Sequence, residues 1–226
     1  MNSTDSATHS QRPPYGRSCE PPGSTRAATA PDPRGQTFIG SQGKAIVATD
    51  FACVDTALLG RFHVLFVIDV ATPRGHLAGI TTNPTGPWRT QAARNLLMRL
   101  PDDHGFRFLV RDGAGQFTHS FDAVFAGSAI TAIPIPPRAP QANALAQRWV
   151  RTLRHELLDH TIIWNEQQLR RLPADYIEHH NTHRPHRGLN QRAPDDHDNV
   201  ETIGPSQLIR HETTCSGPIN KYRPTA

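Results

Sequence analysis

Cysteine is scarce in this 226-residue chain: Cys19, Cys53 and Cys215 lie far apart and form no CxxC pair, which argues against a disulfide framework and against a zinc site. That usage fits a reducing cytoplasm. No apolar run approaches the roughly 18 residues of a membrane-spanning helix, and the first residues lack the basic-then-apolar pattern of a signal peptide. The expectation is a soluble, cytoplasmic protein with no membrane partner. Lysine is nearly absent too, so the net charge of +4 and the pI near 9.3 rest on arginine. Such a balance suits a polyanion partner, although a solvated basic surface has the same composition. Apolar residues make up 36% of the chain and mean hydropathy is −0.53, too little for every residue to join a core.

The material for a core is concentrated in the middle. Residues 1–36 are rich in Ser, Thr, Pro, Gly and Arg without periodicity, and they read as a disordered tail. From Lys44 the pattern changes. KAIVATDFACVDT reads as a strand containing Asp50, and FHVLFVIDVAT is a nearly continuous β-branched run that suits a strand buried on both faces. HLAGITT follows a Pro-Arg-Gly turn, so three strands form an antiparallel meander.

Thr85-Gly86-Pro87 announces a helix whose buried side is Leu96, Leu97 and Leu100. Met98 and the phenylalanines are assigned to the core. Phe106 to Val110 is a fourth strand, Thr118 to Ala126 a short helix, and Ala129 to Ile135 a fifth strand. A long helix runs from Gln141 to about His160, with Leu145, Trp149, Leu153 and Leu157 as its apolar stripe. A last helix, Gln167 to His180, is expected to kink at Pro173. The order β-β-β-α-β-α-β-α-α implies a mixed five-stranded sheet with helices on both faces, one α/β domain over 44–190. Residues 195–226 read as weakly ordered, with LIRHETTCSGPINKYRP able to form a terminal hairpin.

Asp50 lies inside the first strand and Asp112 ends the fourth. If those strands are neighbours, two carboxylates meet at one edge of the core, where they repel unless protonated or bridged by a cation. A hard divalent ion with oxygen ligands is the natural bridge. The plainer alternative is one capping aspartate and one turn aspartate.

These stretches resemble the catalytic core of retroviral-type integrases and insertion-sequence transposases. The resemblance rests on ATDFACVDT, HVLFVIDVATPRGHLAGITTNPTG, FRFLVRDGAGQFT, PPRAPQANALAQRWVRTLRHELLD and YIEHHNTHRPHRGL, in that order, over about two-thirds of the chain. It implies an RNase H-like fold and an Asp-Asp-Glu metal-binding triad serving DNA integration or transposition with Mg²⁺ or Mn²⁺. The first two positions fall at Asp50 and Asp112; Asp55, on the opposite face of the same strand, is the less favoured first carboxylate. The third falls at Gln147, with 34 residues intervening after Asp112. An amide there keeps the side-chain length and one carbonyl oxygen but loses the charge, so metal binding is weakened or lost and strand transfer is impaired.

Glu156 is nine residues on, about half a revolution around the helix, and Asp159 lies farther down the axis. Neither replaces the missing carboxylate. Arg151 and Arg154 follow Gln147 on the same helical face, and the resemblance implies that they contact DNA, with Asn143 and Arg148 in the same motif. His179, His180, His183 and His186 have partial ligand spacing but nothing to complete a zinc site. A basic loop that touches phosphate or packs on the long helix is favoured.

Residues 1–36 show neither a helix-turn-helix nor a zinc pattern, so recognition of element ends is not expected from them. Three readings stand. The first is a Mg²⁺-dependent polynucleotidyl transferase core, oligomeric and DNA-bound, with a degenerate third ligand. The second is a non-catalytic DNA-binding or oligomerisation remnant of a mobile element. The third is a folded product without function.

Overall fold

The computed structural model describes residues 42–113, 115–135, 143–196, 209–215 and 217–224. The segment expected to be a disordered tail, 1–36, lies outside them. The chain forms β1 (Ile46–Asp55), β2 (Arg61–Asp69), β3 (Gly75–Thr81), α1 (Gly86–Leu97), β4 (Phe108–Asp112), α2 (His119–Ala126) and β5 (Thr131–Ile135), followed by α3 (Ala144–Glu156), α4 (Glu166–Thr182), β6 (Ile209–Thr214) and β7 (Ile219–Pro224). The first five strands make one sheet in the order β3-β2-β1-β4-β5. β1 to β3 form the antiparallel meander, while β4 and β5 run parallel to β1. This is the mixed five-stranded α/β architecture that the element order implies, and it agrees with the fold that the resemblance implies.

The sheet is buried on both faces, and side-chain alternation sorts its residues into two cores. Ile46, Ala48, Ala52 and Val54 of β1 and Val110 of β4 pack with Ala146, Trp149 and Leu153 of α3 and Leu169, Leu172 and Tyr176 of α4. Val47, Phe51 and Leu109 pack on the other side with Ala92, Ala93 and Leu96 of α1 and Phe121 and Phe125 of α2. Two glycines permit close layering. A Cβ at Gly75 would stand 2.8 Å from the Trp149 ring, and one at Gly79 would stand 2.9 Å from the Trp88 ring.

Local signals act where expected. Thr85 caps α1, its hydroxyl accepting from Trp88 N at 3.3 Å, with Pro87 in the first turn. Asn165 caps α4 in the same way through Gln168 N. α4 continues through Pro173 from Glu166 to Thr182.

Met98 departs from its assignment to the core: it is 84% exposed. It is the C-cap of α1 and still helical in conformation, and two positions past Leu96 turns it about 200° away from the buried face. The terminal segment is more ordered than expected over 209–224. β6 and β7 pair antiparallel, and Cys215 and Ile219 join the core beneath α3 and α4. Cys53 is disulfide-bonded, a departure from the expectation that the scattered cysteines form no disulfide framework. Cys19 lies outside the described residues, and Cys215 is buried. Among the described residues no helix is long and apolar enough to cross a membrane.

Candidate active site

β1 and β4 are neighbours, as the convergence of the two aspartates requires. Their parallel register pairs Ile46 with Phe108, Val47 with Leu109 and Ala48 with Val110. Two residues further along each chain stand Asp50 and Asp112. Asp50 shares its parity with Ile46, Ala48, Ala52 and Val54, and Asp112 shares its parity with Val110. Both carboxylates therefore belong to the face that α3 and α4 cover.

Asp50 is half-buried and interrupts an otherwise buried run. One carboxylate oxygen accepts from the Phe51 amide at 2.8 Å. Burial pushes its pKa up to about 6, the amide hydrogen bond opposes that rise, and the like charge of Asp112 adds to it. Asp55 is placed quite differently. It ends β1 at the surface, where Arg61 grips both its oxygens at 2.7 and 3.0 Å and holds its pKa below the usual carboxylate range. A surface ion pair occupies the alternative first position.

α3 lies along the same face of β1. Asn143, just before the helix, is buried and donates from Nδ2 to Thr49 O at 3.3 Å, while its Oδ1 has no hydrogen-bond partner among the described residues. Arg154, three turns later, donates to Cys53 O. At 100° per residue, Asn143, Gln147, Arg151 and Arg154 occupy one flank of the helix. The two ends of that flank are tied to β1 carbonyls on either side of Asp50, and Gln147 stands between them, exposed.

Gln147, Arg148 and Arg151 all face solvent, whereas Asn143 is enclosed and Arg154 is partly buried against β1. Asn143 is thus held against the strand rather than presented at the surface. Among the described residues, no group of three or more His, Cys, Asp and Glu side chains is arranged to hold a metal. The oxygen donors that the pairing of β1 with β4 brings to one face are the carboxylates of Asp50 and Asp112.

Glu156 occupies the opposite flank of α3. It accepts from Tyr176 Oη at 2.8 Å and from Arg184 at 2.6 and 3.1 Å. Burial pushes its pKa up, but the Arg184 and Tyr176 hydrogen bonds outweigh that and leave it lowered. It is committed to α4, not to the aspartates. His180 is buried beside Trp149, and burial drives its pKa down to about 4. Its Nε2 is 3.2 Å from Trp149 Nε1 and 3.0 Å from Pro73 O. It serves one of these at a time, because the indole N–H needs a lone pair and the carbonyl needs a proton. The histidine run therefore packs on the long helix at His180.

Sequence reasoning missed Arg111. It is buried, and its side chain pairs with Asp122 of α2 on the face opposite the aspartates. Asn181 was missed too: it accepts from Gly75 N and donates to Gly75 O, both at 2.9 Å, and so locks α4 to the start of β3. No sequence spacing reports contacts between residues so far apart.

Comparison with known proteins bears on the fold. A family model described as an integrase core domain matches residues 128–194. No curated protein matches the chain. Among solved structures, the chain is similar to one chain of the simian T-cell lymphotropic virus intasome in complex with PP2A regulatory subunit B56 gamma, with 11% identity and a TM-score of 0.56. The match covers 74% of this chain and 61% of that one, so this chain spans about three-fifths of its length. It is also similar to the catalytic core domain of BIV integrase, at 14% identity and TM-score 0.47, covering 68% and 93% of the two chains. A third similarity is to the HTLV-2 integrase catalytic core domain in complex with magnesium (trimeric form), at 11% and 0.49, covering 67% and 93%. The segment 128–194 is thus similar to an integrase core domain, and the likeness to the intasome chain is one of fold.

Proposed function

We propose that this domain is the catalytic core of a DNA integrase or transposase whose divalent-metal site is degenerate at its third ligand. The observation that supports the reading is the parallel pairing of β1 with β4, whose register ends two residues before Asp50 and Asp112 and gives both the parity of the face beneath α3. The raised pKa of Asp50 fits a site designed around a cation, because two neighbouring carboxylates in a partly buried place are stable together only when one is protonated or a positive charge intervenes. Asp50 and Asp112 would hold the ion, and Gln147 would offer one neutral oxygen where a third carboxylate belongs. Bound Mg²⁺ or Mn²⁺ would supply the Lewis acidity that activates an attacking hydroxyl and stabilises the leaving oxygen of a phosphodiester.

The chain's own residues have separable roles. Arg148 and Arg151, exposed beside Gln147, bind DNA phosphates, and Arg154 holds α3 on β1 while keeping positive charge near the same flank. Asn143 orients the first turn of α3 through Thr49 O. Losing the third carboxylate removes several kcal/mol of transition-state stabilisation, roughly a thousandfold or more in rate. The domain works as a homo-oligomer on DNA, a proposal supported by the intasome named for its structural neighbour.

The second reading is a DNA-binding or oligomerisation module that does no chemistry. It draws on the engagement of Glu156 by Arg184 and Tyr176, which leaves no replacement carboxylate on α3. A strand-transfer and nicking assay with Mg²⁺ and with Mn²⁺, run on the native chain and on Gln147→Glu, decides between them. Activity gained only in the variant supports the first reading. No activity in either, with salt-sensitive DNA binding retained, supports the second.

A further inference from the structure

The structure assigns Arg111 as the positioning residue for Asp112: its guanidinium, anchored on α2, holds the Asp112 carbonyl and thereby fixes the end of β4 from which that carboxylate projects. This rests on the reading of Asp50 and Asp112 as a cation site.

Arg111 and Asp112 are consecutive on β4, so their side chains leave opposite faces of the sheet. Arg111 is only 8% exposed, which is unusual for an arginine and needs full compensation. Asp122 provides it, accepting at Oδ1 from Nε at 2.8 Å and at Oδ2 from NH2 at 2.6 Å. This is the bidentate fork geometry, which fixes the guanidinium plane as well as its charge. The remaining terminal nitrogen, NH1, donates to Asp112 O at 3.1 Å. The Phe117 ring lies 5.8 Å from the guanidinium carbon and packs the same group from the side. One planar cation is thus held by α2 on one edge and holds the catalytic strand on the other.

The following residue tightens the arrangement. Asp112 pairs with Ile135 of β5, and a Cβ on Gly113 would stand 2.4 Å from Ile135 O. The peptide that joins Asp112 to Gly113 is therefore pressed against β5 on one side and hydrogen-bonded to Arg111 on the other. A structural ion pair alone needs only the Asp122 contacts. The third hydrogen bond, to the backbone of Asp112, goes beyond that need and bears on the site.

The test uses the full chain and four proteins: native, Arg111→Lys, Asp122→Asn, and the double variant Arg111→Met with Asp122→Leu. The double variant removes both charges together, so it avoids the unpaired buried charge that would unfold a single one. Two readouts are taken: Mn²⁺ affinity by electron paramagnetic resonance, and the backbone ¹⁵N shift of Gly113, whose nitrogen shares the peptide with the Asp112 carbonyl. The expected result is a tenfold or greater loss of Mn²⁺ affinity in the double variant, with native-like circular dichroism and a displaced Gly113 signal. Arg111→Lys keeps the charge but not the fork, and should fall between the two. Asp122→Asn should keep the Gly113 shift closer to native than the double variant does. A folded double variant with native Mn²⁺ affinity and an unmoved Gly113 signal overturns the assignment and leaves the reading of the site intact. Displacement of Gly113 in a chain whose native form binds no Mn²⁺ overturns that reading instead, and with it the positioning role of Arg111.

Discussion

Asp50 and Glu156 are both partly buried carboxylates on the same side of the sheet, yet their proton affinities move in opposite directions. Glu156 faces Arg184 and the Tyr176 hydroxyl, which repay its burial and draw its pKa down. Asp50 is acted on by burial, by one backbone N–H and by the like charge of Asp112; none of these is a cation, and its pKa rises to about 6. The difference separates two uses of the same functional group. A carboxylate that ties α3 to α4 comes with its counter-charge built into the fold. A carboxylate that serves a ligand is left for the ligand to neutralise.

Removing each group should expose that difference. Glu156→Ala leaves Arg184 facing an empty, half-buried position, and a destabilisation of about 2–3 kcal/mol is expected, below the range for a fully buried pair because solvent screens part of it. A reduced midpoint in urea unfolding checks it. Asp50→Asn should act in the other direction. The native carboxylate ionises at neutral pH against a folded-state pKa of about 6, so the amide is expected to stabilise the fold by on the order of 1–2 kcal/mol while abolishing Mn²⁺ binding. A higher Tm in metal-free buffer, together with loss of any Mn²⁺-dependent rise in Tm, would bear this out.

The pH dependence sharpens the contrast. His180 has a folded-state pKa of about 4, below its ordinary value of 6.5. The unfolded chain therefore binds a proton that the fold refuses, and stability is expected to fall as pH drops from about 6.5 towards 4. Asp50, with its raised pKa, works against that loss between about pH 6 and 4, because its proton is bound more tightly in the fold. In His180→Gln the acid loss should shrink, whereas in Asp50→Asn it should deepen; thermal melts from pH 7 to 4 follow both. The smallest effect is expected at the exposed pair. Arg61→Ala should leave the unfolding midpoint almost unchanged, since Arg61 and Asp55 are both more than half exposed.

Much of the architecture was legible because it rests on local periodicity. The β-branched run of β2, the alternation in β1 and the cap at Thr85 each carry their own signal in a few residues. Asp50, Asp112 and Gln147 were legible as positions, since parity along a strand and angle around a helix follow from the sequence alone. The burial of Asn143 against Thr49 and the binding of Arg154 to Cys53 O were not, because they depend on how α3 lies across β1. The same holds for Arg111 with Asp122 and for Glu156 with Arg184, where partners from different elements meet only after packing. Met98 shows the opposite failure: it was assigned to the core by residue type, although two positions past the buried Leu96 is about 200° around the helix.

A degenerate cation site requires position 147 to belong to the same pocket as the two aspartates. Mn²⁺ titration of the native chain, of Gln147→Glu and of Gln147→Glu with Asp50→Asn tests this most directly. At least tenfold tighter binding is expected when glutamate stands at 147, with loss of that gain when Asp50 is also removed. Equal affinity in the native chain and in Gln147→Glu would contradict a shared pocket.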